Sequence, residues 1–174
     1  TILPLKPCYG RWRELEWLVE QLTSPHHRLV TLVGMGGIGK TTLAKAAAHA
    51  LRGCFSDGVW FIPLVGIEAN NDAGLVTEAI AGEIAEQLAL PTSESGLRSE
   101  QLLAVLAQRS LLLVLDNAEH LRNGSLFLSQ MLKAAPHLAL LVTSRLALEL
   151  PTESVYPLQG LPYPGNRFTF PDTQ

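Results

Sequence analysis

Residues 34–41 form a glycine-rich segment that leaves this chain few possible folds. The segment, called the P-loop below, reads Gly-Met-Gly-Gly-Ile-Gly-Lys-Thr and matches the pattern G-x-x-x-x-G-K-[ST] without a gap. The run Arg28–Val33 before it predicts a strand, and apolar residues at helical spacing over Leu43–Ala50 predict a helix after it. The main-chain N–H groups of such a loop, together with the amino terminus of a helix, can surround a phosphate group. The segment therefore predicts an α/β fold that binds a phosphorylated ligand.

The residue types in the P-loop suit separate parts of a nucleotide. Lys40 is expected to reach the β- and γ-phosphates as a mobile positive charge, and the Thr41 hydroxyl is expected to provide one ligand to Mg²⁺. Thr42 is expected near the α-phosphate. The glycines allow the backbone to fold so that its N–H groups point inward. The residues predicted to bind the phosphates are Gly34, Gly36, Gly37, Ile38, Gly39, Lys40, Thr41 and Thr42.

A second segment, Leu111–Asp116, predicts the magnesium side of the site. It is an apolar run that ends in one acid, the form of a Walker B strand, and its carboxylate is expected at the carboxyl edge of the sheet. There Asp116 would hold Mg²⁺ through the water shell of the ion. The next residue, Asn117, cannot act as a base, so Glu119 and His120 are the candidates for activating water. Because Glu119 could instead stabilise the amino terminus of a following helix, slow hydrolysis is expected.

The predicted strand Leu138–Thr143 leads to a further candidate, Arg145. A guanidinium group at the carboxyl edge of a strand beside the P-loop can contact the γ-phosphate and distinguish triphosphate from diphosphate. The predicted catalytic residues are therefore Lys40, Asp116, Glu119 and Arg145.

Strand-length apolar runs alternate with segments of helical periodicity, a pattern typical of a parallel sheet flanked by helices. Pro63 favours a position at a sheet edge or a strand end, and Asp72 is a predicted helix N-cap. Strands are predicted at Arg28–Val33, Val59–Val65, Leu111–Leu115, Leu138–Thr143 and Ser154–Leu158. Helices are predicted at Arg11–Leu22, from Gly39 onward, and at Asp72–Leu90, Ser99–Gln108 and Ser125–Ala135.

Size and composition predict one globular domain. The chain has 174 residues, of which 47% are hydrophobic and 17% are charged, as is typical of a domain with a buried core. We expect the nucleotide-binding domain to span residues 1–159, with an N-terminal arm and helix at 1–27. Residues 160–174 are rich in proline and glycine and are expected to form a linker toward further C-terminal domains. Cys8 and Cys54 lack a metal-binding spacing and are expected to be buried or partly buried free thiols.

Charge and hydropathy argue against several classes of partner. The formal net charge of −3 gives no electrostatic reason for direct binding to nucleic acid or to an anionic membrane. No segment reaches the roughly 20 apolar residues that a membrane-spanning helix needs. The first residues do not read as a secretory signal. A cytoplasmic protein is expected.

In this order the motifs resemble those of the STAND class of signalling NTPases. The resemblance is to the ATPase modules of large bacterial transcriptional regulators, which are relatives of NB-ARC domains. One departure is Leu146, which follows Arg145 where the usual pattern has an acid. Besides the P-loop, the resemblance rests on Tyr9-Gly10-Arg11 with Glu14, on Leu111–Leu121, on Leu141–Arg145 and on Glu153–Leu158.

The resemblance implies a P-loop NTPase fold, a three-layer α/β/α sandwich whose five-stranded, mainly parallel sheet has the order 2-3-4-1-5. The strand before Arg145 would lie between the P-loop strand and the Asp116 strand. Tyr9, Gly10 and Arg11 would lie against the adenine, and Arg145 would sense the γ-phosphate. Helical, winged-helix, sensor and effector domains of a longer chain would be the partners. Exchange of ADP for ATP would open the protein and lead to homo-oligomers.

The main hypothesis is thus an ATP- and ADP-binding regulatory switch module of a multidomain regulator, with slow Mg²⁺-dependent ATP hydrolysis. The alternative is a conventional P-loop ATPase or kinase, although the arginines of this chain are too scattered to form a kinase lid. A scaffold that has lost nucleotide binding is disfavoured by the intact Lys40, Thr41 and Asp116.

Overall fold

A computed structural model of the protein describes residues 10–67, 71–91, 98–119 and 124–161. The predictions on Cys8, Tyr9, His120 and the segment 162–174 lie outside these residues. Within them, helices and strands follow one another along the chain in the predicted order. The elements are α1 (Trp12–Thr23), β1 (Leu29–Val33), α2 (Lys40–Ala50), β2 (Val59–Pro63), α3 (Ala73–Gln87), α4 (Arg98–Leu106), β3 (Leu111–Asp116), α5 (Ser125–Ala134), β4 (Leu138–Ser144) and β5 (Glu153–Pro157).

The five strands form one sheet in the order β2-β3-β4-β1-β5, and every neighbouring pair is parallel. The predicted strand order is confirmed, with β4 between the P-loop strand β1 and the Walker B strand β3. The sheet was predicted to be mainly parallel. This is confirmed, and all of its neighbouring strands are in fact parallel. Since the carboxyl ends of parallel strands share one edge, the segments after β1, β3 and β4 meet there.

Side-chain alternation along the central strands divides the core into two layers. In β3, Leu111, Leu113 and Leu115 pack in the cluster that includes residues of α3, α4 and α5. Leu112 and Val114 point to the other face and pack with residues of α1 and α2. All six residues of β3 are buried, which explains why the strand reads as a continuous apolar run. The three-layer α/β/α arrangement is therefore confirmed.

Several details differ from the sequence-based prediction, and three of them have a local explanation. Helix α3 ends at Gln87 instead of Leu90, because Ala89 adopts a φ of 50°, which no right-handed helix accommodates. Strand β2 ends at Pro63 instead of Val65, and it lies at an edge of the sheet as proline favours. Cys54 is exposed instead of buried, since it lies in the surface turn after α2.

The N-cap prediction for α3 is confirmed, because the Asp72 carboxylate accepts from the N–H groups of Gly74 and Leu75. A search of the described helices finds none with both the length and the apolar character needed to cross a bilayer.

Candidate functional site

The P-loop leaves the carboxyl end of β1 and turns directly into α2. Gly37 and Gly39 have φ values of 77° and 100°, a backbone conformation that side chains other than glycine's rarely adopt. Gly39 is the N-cap residue of α2, and because it has no side chain it provides no capping hydrogen bond to the helix. The N–H groups at the start of an α-helix lack partners within the helix. The arrangement can therefore hold an anion at the helix amino terminus.

The base of the P-loop is fixed by main-chain contacts to two other strands. The N–H group of Gly34 donates to the carbonyl oxygen of Ser144 at 3.3 Å, and the N–H group of Leu158 donates to that of Val33 at 2.7 Å. A Cβ atom placed on Gly34 would lie 2.8 Å from the Leu158 carbonyl oxygen. Glycine at the start of the loop is thus required by the close approach of the chain that follows β5.

The ammonium group of Lys40 lies inside the curve of the loop. Its Nζ donates to the carbonyl oxygens of Gly34 at 2.7 Å and Met35 at 3.0 Å. These partners keep the charge of Lys40 next to the loop, at the position where the sequence predicts phosphate oxygens. Met35 itself is 79% exposed at the tip of the loop.

The two predicted magnesium ligands are in direct contact. The Thr41 hydroxyl donates toward the Asp116 carboxylate, with its Oγ1 2.8 Å from Oδ1 and 3.1 Å from Oδ2. Asp116 is 9% exposed and receives a further hydrogen bond from the Thr143 hydroxyl at 2.6 Å. A hydroxyl and a carboxylate are the hard oxygen ligands that Mg²⁺ prefers, so this pair fits the predicted ion.

Arg145 and Glu119 form an ion pair at the same edge of the sheet. The Arg145 Nε lies 2.7 Å from the Glu119 Oε2, in a geometry that is not that of a hydrogen bond. The guanidinium group also faces the P-loop, because a Cβ placed on Gly36 would lie 3.9 Å from Arg145 Nη2. The Glu119 side chain is 18% exposed, whereas that of Arg145 is 66% exposed. The structure thus brings both predicted residues beside the P-loop.

Arg11 is buried and bound to main-chain oxygens. Its Nη2 donates to the carbonyl oxygens of Gln159 at 2.6 Å and Ile38 at 3.4 Å, and its Nη1 donates to Glu14 Oε1 at 2.8 Å. The guanidinium group therefore joins the start of α1, the P-loop and the segment after β5. Beside it lies a cavity of ≈ 420 Å³ whose lining residues are Gly10, Arg11, Glu14, Tyr156, Pro157, Gln159, Gly160 and Leu161.

The environment of Glu14 favours its ionised form. Burial of the carboxyl group opposes ionisation, but the hydrogen bond from Arg11, a main-chain hydrogen bond and the charges of Arg11 and Arg13 together outweigh it. The pKa of Glu14 is therefore held below its usual value. The carboxylate stays charged near neutral pH and completes the set of acceptors around Arg11.

Two features of the site are absent from the sequence-based prediction. The first is the Thr143 hydroxyl on Asp116, which becomes predictable only when the strand order and the register of β4 against β3 are known. The second is the binding of Arg11 to the carbonyl oxygen of Gln159, which joins residues far apart in the chain. No sequence pattern predicts the second contact, because a main-chain acceptor can belong to any residue type.

A parallel sheet of this order, with a phosphate-type loop on β1 and an aspartate ending β3, defines the class of P-loop NTPases. Within that class the chain belongs to the NB-ARC domain family, whose profile matches residues 12–147. It is therefore an NB-ARC nucleotide-binding module.

The similar proteins are much longer than this chain. A candidate HTH-type transcriptional regulator of Mycobacterium tuberculosis is 37% identical over 120 residues, which are 68% of this chain and 13% of that protein. The regulatory protein AfsR of Streptomyces griseus is 32% identical over 123 residues, which are 67% of this chain and 12% of AfsR. The chain thus corresponds to a small part of each regulator.

Solved structures share the fold at low sequence identity. Cdc6p from Pyrobaculum aerophilum matches with a TM-score of 0.67 and 21% identity over 91% of this chain and 47% of that one. PCH-2 of C. elegans matches with a TM-score of 0.50 and 17% identity over 84% of this chain and 41% of that one. At such identities the comparison concerns the fold alone.

Proposed function

We propose that this module binds ATP and ADP with Mg²⁺ and acts as a regulatory switch within a larger regulator, with slow ATP hydrolysis. The observation that carries the proposal is the convergence of Lys40, Thr41, Asp116 and Arg145 at one edge of the sheet. These side chains come from three segments that are far apart in the sequence. Lys40 and Thr41 belong to the P-loop, and Asp116 at the end of β3 and Arg145 after β4 lie beside it. Cationic side chains and oxygen ligands in this arrangement are suited to binding a nucleoside triphosphate with Mg²⁺.

The residues of the loop have separate roles in this proposal. Lys40 exchanges its two carbonyl partners for phosphate oxygens, to which its full positive charge binds more strongly. The N–H groups at the start of α2 bind the same phosphates from the other side. Thr41 and Asp116 hold the Mg²⁺ ion, which neutralises phosphate charge when bound.

Slow hydrolysis follows from the residues after the Walker B strand. Asn117 occupies the position next to Asp116 and has no basic group, so no carboxylate lies directly beside the predicted metal ligand. The nearest described candidate base, Glu119, is engaged by Arg145. A carboxylate that contacts Arg145 must leave that partner before it can orient a water molecule.

The cavity beside Arg11 is the proposed adenine site. It opens beside the P-loop, since Arg11 donates to the carbonyl oxygen of Ile38. Gly10 and Arg11, two of the residues that the family resemblance assigns to the adenine, line this cavity, which supports the proposal. Tyr9 precedes them in the chain. The hydrogen bonds of Arg11 to main-chain oxygens would fix one wall of this site. The aromatic ring of Tyr156 and the apolar side chain of Leu161 are suited to packing against the face of a base.

A regulatory switch needs other domains that respond to the nucleotide. Four large apolar side chains are exposed in the segments that follow strands of the sheet, and in a lone module they would remain in water. They are Met35, Val65, Leu146 and Leu161, which are 53% to 79% exposed. We propose that helical, winged-helix, sensor and effector domains of a longer protein cover these four side chains. Residues 1–159 would then be the nucleotide-binding domain, and residues 160–174 would be the linker to those domains. The length of the similar regulators supports this assignment.

The test is a titration of ATP, ADP and GTP, each with and without Mg²⁺, into the 174-residue chain. Adenine nucleotides are expected to bind, and Lys40→Ala is expected to weaken binding by about a hundredfold, because a charged hydrogen bond contributes roughly 1.5–3 kcal/mol. Lys45→Ala is the matched control, since Lys45 lies on the same helix with its ammonium over the ring of Phe61. Absence of binding, or equal effects of the two substitutions, would refute nucleotide binding at the P-loop. Rapid turnover or phosphoryl transfer to a second substrate would instead favour a conventional ATPase or kinase.

A further inference from the structure

Asp116 and Thr143 are neighbours because of the register between β3 and β4. Leu115 lies opposite Val142 in this pair of strands, so Asp116 and Thr143, each one residue further, lie side by side. Leu141, two residues before Thr143, packs in the cluster on the α2 side of the sheet. Since side chains two apart in a strand share a face, Thr143 also points to the α2 side, where the P-loop helix lies.

The hydroxyl of Thr143 makes two hydrogen bonds of opposite sense. It donates to Asp116 Oδ1 at 2.6 Å and accepts from the N–H group of Asn117 at 2.9 Å. Thr143 is 1% exposed, so no bulk water competes for either bond. Asn117 has a φ of 66°, a left-handed conformation that asparagine tolerates better than most residues. One hydroxyl thus holds both the carboxylate and the turn that follows it.

The other donor to Asp116 is a residue with a second task in the proposed function. Thr41 donates to the same carboxylate, and a lone pair of its hydroxyl oxygen is the predicted ligand of Mg²⁺. Its oxygen lies near both carboxylate oxygens, whereas Thr143 donates to Oδ1. Thr143 lies in the buried strand β4 and is not a predicted metal ligand, so its hydrogen bond can hold Asp116 independently of the ion.

From this geometry we propose that Thr143 is a positioning residue, which orients Asp116 and so determines how strongly Mg²⁺ tightens nucleotide binding. The inference rests on the proposed function, because it needs a nucleotide and its metal at the P-loop. Residues that orient a metal ligand typically change metal affinity by about 10- to 100-fold when they are replaced. Replacement of Thr143 should therefore reduce the gain in ATP affinity that Mg²⁺ provides. It should not change the ATP affinity that the P-loop provides without Mg²⁺.

The experiment measures the dissociation constant of ATP with Mg²⁺ and with EDTA for the 174-residue chain and three variants. Thr143→Val keeps the shape and removes the hydroxyl, and about tenfold of the Mg²⁺-dependent gain in affinity should be lost, with the EDTA value unchanged. Thr143→Ser keeps the hydroxyl and should retain the gain. Thr31→Val is the matched control, because Thr31 is fully buried in the adjacent strand β1 and its hydroxyl has no hydrogen-bond partner among the described residues.

The outcomes separate this inference from the proposed function. If wild-type protein gains affinity with Mg²⁺ and Thr143→Val gains as much, the positioning role is refuted while nucleotide binding stands. Equal weakening with Mg²⁺ and with EDTA also refutes it, since that is the result of a general structural defect. If wild-type protein binds no ATP, both proposals fail together. Should Thr143→Val not fold, Thr143→Ser and Thr143→Ala are compared by the same measurement, because they differ only in the hydroxyl.

Discussion

The guanidinium group of Arg145 and the carboxylate of Glu119 lie 2.7 Å apart across the mouth of the P-loop site. Arg145 is the residue proposed to sense a γ-phosphate, and Glu119 is the described candidate for activating water. In this arrangement each of the two side chains is engaged by the other. In the proposed function a γ-phosphate would compete with Glu119 for Arg145, so nucleotide sensing and release of the candidate base would be coupled through one ion pair.

The first prediction concerns the discrimination between ATP and ADP. Arg145→Ala should weaken ATP binding by about tenfold or more, because a hydrogen bond to a charged group contributes roughly 1.5–3 kcal/mol. ADP lacks the γ-phosphate, so its affinity should be nearly unchanged. Isothermal titration calorimetry with both nucleotides measures the difference. Parallel losses for ATP and ADP would show that Arg145 does not read the third phosphate.

The second prediction concerns hydrolysis. Glu119→Gln removes the candidate base but leaves a side chain of similar shape, and turnover should fall by about a hundredfold, the usual contribution of a general base. ADP affinity should not change, which controls for damage to the P-loop. A single-turnover assay of phosphate release measures the rate. Unchanged turnover would leave Glu119 only its role beside Arg145 and would direct attention to His120, whose replacement by alanine is the companion variant.

The sequence was sufficient to predict the parts of the site that are contiguous in the chain. The P-loop and the segment Leu111–Asp116 carry their function in local patterns, since a glycine-rich turn and a buried strand ending in an acid are each readable without a fold. The confirmed strand order came from the family resemblance, because the neighbour of β3 depends on how the whole chain is connected.

Contacts between distant segments were beyond the sequence for the same reason. The pairing of Thr143 with Asp116 requires both the strand order and the register, and a one-residue shift would turn Thr143 to the other face. The early end of α3 has no sequence signal either, because Ala89 adopts a left-handed conformation that alanine normally avoids.

The third prediction concerns pH and the Glu14–Arg11 pair. The folded pKa of Glu14 lies below its unfolded value, so the unfolded chain binds more protons and the pair stabilises the fold above the unfolded pKa of about 4.3. That stabilisation is lost as the pH falls through the folded pKa. Glu14→Gln should therefore lower the free energy of unfolding by about 1–2 kcal/mol near pH 7, and the difference from wild type should shrink below pH 4. Urea unfolding at a series of pH values measures it.

Glu16→Gln is the control for this measurement, since Glu16 is an exposed acid on the same helix. Its effect should be small at every pH, because exposed charges contribute little to stability. A Glu14→Gln difference that stays constant down to pH 3 would mean that ionisation of Glu14 does not stabilise the fold.

The last prediction concerns the first glycine of the P-loop, whose importance lies in packing and not in an unusual φ. The Cβ of Gly34→Ala would lie 2.8 Å from the Leu158 carbonyl oxygen, a main-chain atom that cannot rotate away. Leu158 is itself bound to Val33 by its N–H group, so relief of the contact must move the end of β5 away from β1. Such overpacking should cost about 1–3 kcal/mol. In Gly53→Ala the new Cβ meets open space, and the free energy of unfolding should change by less than about 0.5 kcal/mol. If urea unfolding gives the two variants equal stability, the tight contact between β5 and the P-loop does not determine the residue at position 34.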